Sequence, residues 1–168
     1  MRIETFRFAD DGDIPNHPRW PMIVYQGVFD TSEADAATAF EELFSRHGWG
    51  DSWRNGIYAF PHYHSNAHEV LGIAEGEAVV RFGGGKGREI KVRKGDAVLL
   101  PAGTGHQRLL ANADLLVIGA YPPGSRCDLK RAGEADKALI RARIGKTPTP
   151  AQDPVAGKNG PAATLWDG

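Results

Sequence analysis

The stretch Gly56 to Gly76, GIYAFPHYHSNAHEVLGIAEG, decides how this chain is read. Within it His62, His64, His68 and Glu69 offer four ligand-type side chains in eight positions. His62 and His64 stand two apart, so on a β-strand both leave the same face, with Cα atoms roughly 6–7 Å apart. Two rings at that spacing can converge on one ion. His68 and Glu69 are adjacent, so on a strand they face opposite ways and cannot enter one pocket together. Glu69 is the expected ligand, with His68 the alternate, placed behind the site or at an interface. A further imidazole, His106, follows the run from Gly95 to Gly103.

On either side of this stretch the chain reads as short strands. Arg54–Phe60 leads into the histidines. Val70–Ala74, Glu77–Phe82, Arg88–Arg93, Ala97–Leu100, His106–Leu110 and Leu115–Tyr121 follow, separated by turns. Gly83-Gly84-Gly85-Lys86-Gly87 lacks the phosphate-loop pattern and no helix follows it, so it reads as a hairpin turn. Upstream, Arg2–Phe8 and Ile23–Phe29 read as strands, with His17 a surface histidine in the loop between them. Thr31 or Ser32 can cap a helix carrying Glu33 and Asp35 in its first turn. Its apolar stripe is Ala36, Phe40, Leu43, Phe44 and His47, and Gly48 stops it. Downstream of Pro122 the pattern lapses, with a short helix expected over Glu134–Ile144 and a strap anchored by Trp166.

Bulk properties narrow the choices. The 168 residues, 41% hydrophobic and 24% charged, fit a single domain with one substantial core. Its parts are residues 1–55, strands and a helix; 56–121, the barrel motifs; and 122–168, a C-terminal extension. The formal net charge of −1, without a basic stripe, argues against nucleic acid. The 21 glycines and 11 prolines suit many short strands joined by tight turns. No run approaches the ~18 apolar residues of a membrane span. The N-terminus has no apolar signal region, so a cytoplasmic location is expected. Cys127 is the single cysteine, read as a partly buried, inert thiol.

The arrangement resembles the cupin superfamily. Gly56, His62, His64, Glu69 and Gly76 match the spacing G-x5-H-x-H-x3,4-E-x6-G of its first motif. Gly95, Pro101, Gly103 and His106 match the second, G-x5-P-x-G-x2-H-x3-N, where Leu110 stands in place of Asn. The whole chain also resembles a group of uncharacterised small bacterial cupins with an added N-terminal strand and helix and a C-terminal strap. The resemblance implies a mainly β, double-stranded β-helix (jelly-roll) barrel. It makes His62, His64, Glu69 and His106 ligands of one divalent transition metal. Three imidazoles and a carboxylate suit Fe, Mn, Ni, Co or Zn and are too nitrogen-rich for Mg or Ca. It further implies a metal-dependent enzyme of dioxygenase, decarboxylase or isomerase type. The alternatives are a metal-dependent binding or sensor module, or a structural cupin. No DNA-binding helix pair accompanies the barrel. A homodimer through the N-terminal strand is expected.

Alternation suggests the pocket walls. With His62 and His64 inward, Tyr58 and Phe60 follow them, Leu71 and Ile73 follow Glu69, and Arg108 and Leu110 follow His106. Tyr58 and Arg108 are thereby the candidate reactive or ligand-orienting groups, Arg108 as the binder of a small anionic molecule.

Overall fold

The computed structural model describes residues 1–133 and 136–166. The strands are β1 Arg2–Phe6, β2 Met22–Gln26, β3 Gly50–Asn55, β4 His62–Tyr63, β5 Glu69–Glu75, β6 Glu77–Phe82, β7 Arg88–Arg93, β8 Ala97–Leu100, β9 His106–Ala111, β10 Leu116–Tyr121 and β11 Lys130–Arg131. The helices are α1 Ala36–Arg46, α2 Lys137–Lys146 and α3 Pro161–Leu165. Two antiparallel sheets, ordered β1-β2-β8-β5-β10-β3 and β11-β4-β9-β6-β7, close face to face as a jelly-roll barrel. Glycines 83 to 87 turn the β6–β7 hairpin, as their flanking strands imply.

The central strands β2, β8, β5 and β10 of the six-stranded sheet are buried on both faces, which explains their continuous apolar runs. One face turns Leu71, Ile73, Val98, Leu100 and Val117 into the barrel against Val80 and Phe82 of the other sheet. The opposite face presents Ile23, Val70, Leu99 and Ile118 to Phe40 and Phe44 of α1. Helix and sheet are so close that a Cβ on Gly72 would lie 2.6 Å from the Phe40 ring. On β6, buried and half-exposed residues alternate, because that strand's outer face meets water.

The C-terminal strap is anchored as the sequence suggested. Trp166 is buried, stacks on Trp20 at 5.5 Å, and donates its indole N–H to Pro21 O at 2.9 Å. Asp153, itself buried, organises the strap's turn. It accepts the Tyr25 hydroxyl at 2.6 Å and the backbone N–H groups of Val155, Ala156 and Ala162 at 2.8 to 3.0 Å. Among the described residues no helix is long and apolar enough to cross a membrane.

Several local expectations are corrected. α1 begins at Ala36, capped by Asp35, whose side chain accepts Thr38 N–H at 3.1 Å. Ser32 cannot cap because its hydroxyl and N–H are already held by Asp30 at 2.7 and 2.9 Å. Consequently Glu33 and Asp35 precede the first turn. The strand expected over Arg54–Phe60 ends at Asn55, and 56–61 crosses between the sheets as a loop. α2 starts at Lys137, capped by Asp136. Glu134 and Ala135, the first residues of the expected helix, lie outside the described residues. His17 is buried, not on the surface, and stacks on Trp20 at 4.4 Å.

Burial holds the His17 imidazole down to about 3, with His68 and Arg19 adding to it, and burial holds His68 at about 4. Both stay neutral in the core, whereas an unfolded histidine titrates near 6.5. Below that pH the unfolded chain binds more protons, so stability is present above pH 6.5 and falls toward pH 4 to 3. His68→Gln, which cannot titrate, should flatten the fall in urea midpoint between pH 7 and 4.5; an unchanged slope contradicts this assignment.

Candidate metal centre

The site lies where the two sheets face one another. Glu69 opens β5 of one sheet; His62 and His106 are cross-strand partners in the other, and His64 follows immediately after β4. Tyr63, between the two histidines, points the other way and packs on Ile140 and Ile144 of α2. The alternation expected around His62 and His64 therefore holds, although β4 is only two residues long.

The structure brings together three of the expected ligands. His64 Nε2 lies 3.3 Å and His106 Nε2 3.4 Å from the same oxygen, Oε1 of Glu69. Two donors each ~2.1 Å from one ion, at angles between right and tetrahedral, stand about 3.0–3.4 Å apart. The observed separations match that requirement. Each histidine also has its other ring nitrogen committed. Nδ1–H of His106 donates to Thr104 O at 3.1 Å, and that of His64 donates to Asp128 O. With Nδ1 so committed, each ring turns Nε2 toward Glu69, and a ring that gives up its Nε2 proton is left in the tautomer a metal requires.

His62 is not in the three-atom group. Its Nδ1–H is fixed to Phe60 O at 2.9 Å, and its ring lies 4.0 Å from His106 and 6.1 Å from His64 between centroids. That local bond lays the ring along His106 instead of turning it to Glu69. Burial, reinforced by His106, holds His62 down to about 3, so it is a neutral imidazole beside the centre. The alternate ligand His68 is on the far face of the sheet. It accepts Ala102 N–H at Nδ1 and donates from Nε2 to Pro148 O, both at 2.9 Å, among Trp20 and Trp166. It is a core residue tying the strap to the barrel.

Above the centre opens a cavity of about 670 Å³, walled by Trp53, Tyr58, His64, Glu69, Arg108 and Tyr121 among others. Tyr58 lines its mouth but is 54% exposed and stacked on Phe60 at 4.8 Å, because loop 56–61 breaks the alternation. Arg108 is in the wall, its Nε donating to Ile57 O at 3.1 Å. Leu110 is turned out to 69% exposure, against the expectation that it faces inward. An irregularity opposite Val79 and Val80 inserts Leu109 into β9 and reverses the alternation after Arg108.

Three wall residues carry no signal in the sequence: Tyr121, Cys127 and Asp128. Tyr121 accepts Trp53 Nε1–H at 2.9 Å. Burial, then the Glu69 carboxylate, push its phenol up, so it stays protonated. Cys127, expected to be partly buried, is exposed at the cavity wall. Desolvation raises its pKa, with the Glu69 and Asp128 charges adding, so it rests as a thiol and not as an activated nucleophile.

The charges of the centre are set mutually. Burial by itself lifts the Glu69 carboxyl, but His64 and then His106 outweigh it and hold Glu69 well below the usual carboxylate range. Burial alone depresses His64, yet Glu69 and the Asp128 carbonyl lift it to about 9. At pH 7 the metal-free site is thus an imidazolium–carboxylate pair, and an ion must displace the His64 proton. Calorimetric Zn²⁺ titration in buffers of different ionisation enthalpy is expected to show about one proton released at pH 7 and affinity rising toward pH 9. Release near zero at pH 7 contradicts this charge state.

The cupin domain family matches residues 54–113, the segment that contains His62, His64, Glu69 and His106. The uncharacterised protein YjlB of Bacillus subtilis strain 168 is 43% identical over 164 residues, 97% of this chain and 96% of that one. Acireductone dioxygenase from Bacillus anthracis, with a cadmium ion in its active centre, is 14% identical with a TM-score of 0.40, covering 74% of this chain and 80% of that one. The coconut allergen cocosin is 18% identical with a TM-score of 0.39 over 48% of this chain, which spans only 23% of that protein. From its motifs, its barrel and its full-length similarity to YjlB, the chain belongs to the cupin family.

Proposed function

We propose that this cupin is a metal-dependent enzyme acting on a small polar or anionic molecule, with chemistry of dioxygenase, decarboxylase or isomerase type. The observation that carries the reading is the convergence of His64 Nε2 and His106 Nε2 on one buried Glu69 oxygen at the floor of a cavity. One divalent ion of the Fe, Mn, Co, Ni or Zn series fits this donor set, with His62 the fourth candidate ligand. When bound, such an ion would supply a Lewis acid at the floor of the cavity.

The chain's own residues then divide the work. Arg108, with Nε occupied by Ile57 O, keeps its terminal guanidinium donors to orient an anionic group. The protonated Tyr121 phenol stands beside Glu69 as a hydrogen-bond donor to a bound oxygen atom. Trp53, Ile57 and Leu115 supply apolar wall that limits water.

A second reading, a binding or sensor module without turnover, is favoured by the protonation of the wall. Tyr121 and Cys127 both hold their protons, and neither offers a ready base at pH 7.

Association with a second copy is proposed through β1, the edge of the six-stranded sheet. Antiparallel pairing centred on Ile3 would set Arg2 of each chain against Glu4 of the other. Light scattering should give a dimer mass; a monomer contradicts that pairing.

Elemental analysis of chelator-free protein should find about one equivalent of one such ion, lost in His64→Ala/His106→Ala. A wild type that resists reconstitution contradicts the metal reading. Arg108→Met should retain the metal and weaken binding of small carboxylates at least tenfold; unchanged binding removes Arg108 from the site. Metal-loaded protein without turnover across oxygen-consumption, decarboxylation and isomerisation assays would favour the binding module.

A further inference from the structure

The three histidines at the centre are not held alike. Nδ1–H of His62 and of His106 donate to carbonyls two residues back in their own chain, Phe60 O and Thr104 O. His64 alone depends on a remote partner, the carbonyl of Asp128, 64 residues later in the C-terminal extension. The barrel motifs by themselves therefore fix two of these rings and leave the third to a segment outside them.

Every polar group of Asp128 is committed to that attachment. Its N–H donates to Asn66 Oδ1 at 2.9 Å. Its carboxylate accepts Ser65 N–H at 2.7 Å and the Ser65 hydroxyl, and receives Arg143 Nη1 of α2 at 3.2 Å. Asn66 Nδ2 in turn donates to Arg126 O at 2.6 Å. Ser65 and Asn66 directly follow His64, so the ligand's own loop and residues 126–128 clamp each other. The same segment lends Cys127 and Leu129 to the cavity wall.

We propose that Asp128 is a positioning residue for the metal centre, and that residues 126–131 form a latch whose docking completes the centre and closes one cavity wall. The inference rests on the metal reading above. Its physical content is linkage. If the docked latch aligns His64 for an ion, then the ion must favour the docked latch by the same factor. A bond of this kind, made to the far nitrogen of a ligating imidazole, is worth about 10–100-fold in metal affinity.

The test uses Co²⁺ as the probe, titrated into the full chain and followed by its visible absorption. Asp128→Ala keeps the backbone carbonyl that His64 bonds but removes the carboxylate anchors to Ser65 and Arg143 that hold it there. It should therefore lower Co²⁺ affinity by up to about 10–100-fold and alter the spectrum. Arg143→Gln and Ser65→Ala should lower it less, by roughly 3–10-fold, since each removes only one anchor of the carboxylate. Lys91→Ala, on the exposed edge strand β7 away from the centre, should bind as wild type does. Co²⁺ should also slow amide exchange over residues 126–131 in the wild type. Should Asp128→Ala fail to fold, Arg143→Gln, whose side chain is 40% exposed, carries the test. Wild-type affinity in these variants, or exchange indifferent to Co²⁺, overturns the latch and leaves the metal reading standing. A wild type that takes up no Co²⁺ overturns the metal reading and this inference with it.

Discussion

A carboxylate buried between two β-sheets is the constraint around which this molecule is arranged. Glu69 is 3% exposed, and its charge is sustained only because His64 and His106 approach from the opposite sheet. An uncompensated charge at such a place costs about 3–5 kcal/mol, a large share of the stability of a domain this size. The two sheets therefore cannot shift independently. The contact that holds their register at this end of the barrel is also the contact that presents two imidazole nitrogens and a carboxylate oxygen to one point. Structure and chemistry share a single interaction.

The additions to the barrel serve this arrangement from outside. α1 and the strap cover the outer face of the six-stranded sheet, sealing β5 on the side away from Glu69. His68 is central to that seal: one residue before Glu69, it joins Ala102 on one nitrogen to Pro148 of the strap on the other. α2 supports Tyr63 between two histidines with Ile140 and Ile144, and reaches Asp128 through Arg143. The extensions are thus connected to the centre at three points, and the fold is more than a barrel with loose ends.

Much of this was legible in the sequence because it follows from period and spacing. Strand alternation placed His68 and Glu69 on opposite faces, and the second motif marked His106 as belonging with His64 and Glu69. The edges of β6, β7 and β8 agree with the turns read from glycine and charge. What was not legible depends on breaks in alternation. Pro61 and loop 56–61 free Tyr58 from the strand phase, and the irregularity at Leu109 turns Leu110 out while Arg108 stays at the wall. Tyr121 reaches the site from the end of a strand that no motif marks, and Cys127 and Asp128 through tertiary contact from a segment without periodicity, where no local pattern could announce them. His62 shows a subtler limit. Spacing puts it on the right face, but its bond to Phe60 O decides where the ring points.

The measurement that tests the account most directly is an anomalous difference map from crystals of Zn²⁺-loaded protein, recorded at the zinc edge. The account predicts one strong peak between the sheets, within bonding distance of His64 Nε2, His106 Nε2 and Glu69, and open toward the Arg108 wall. A peak elsewhere, or none between these residues, would contradict it and leave the buried pair as a structural feature of a metal-free barrel.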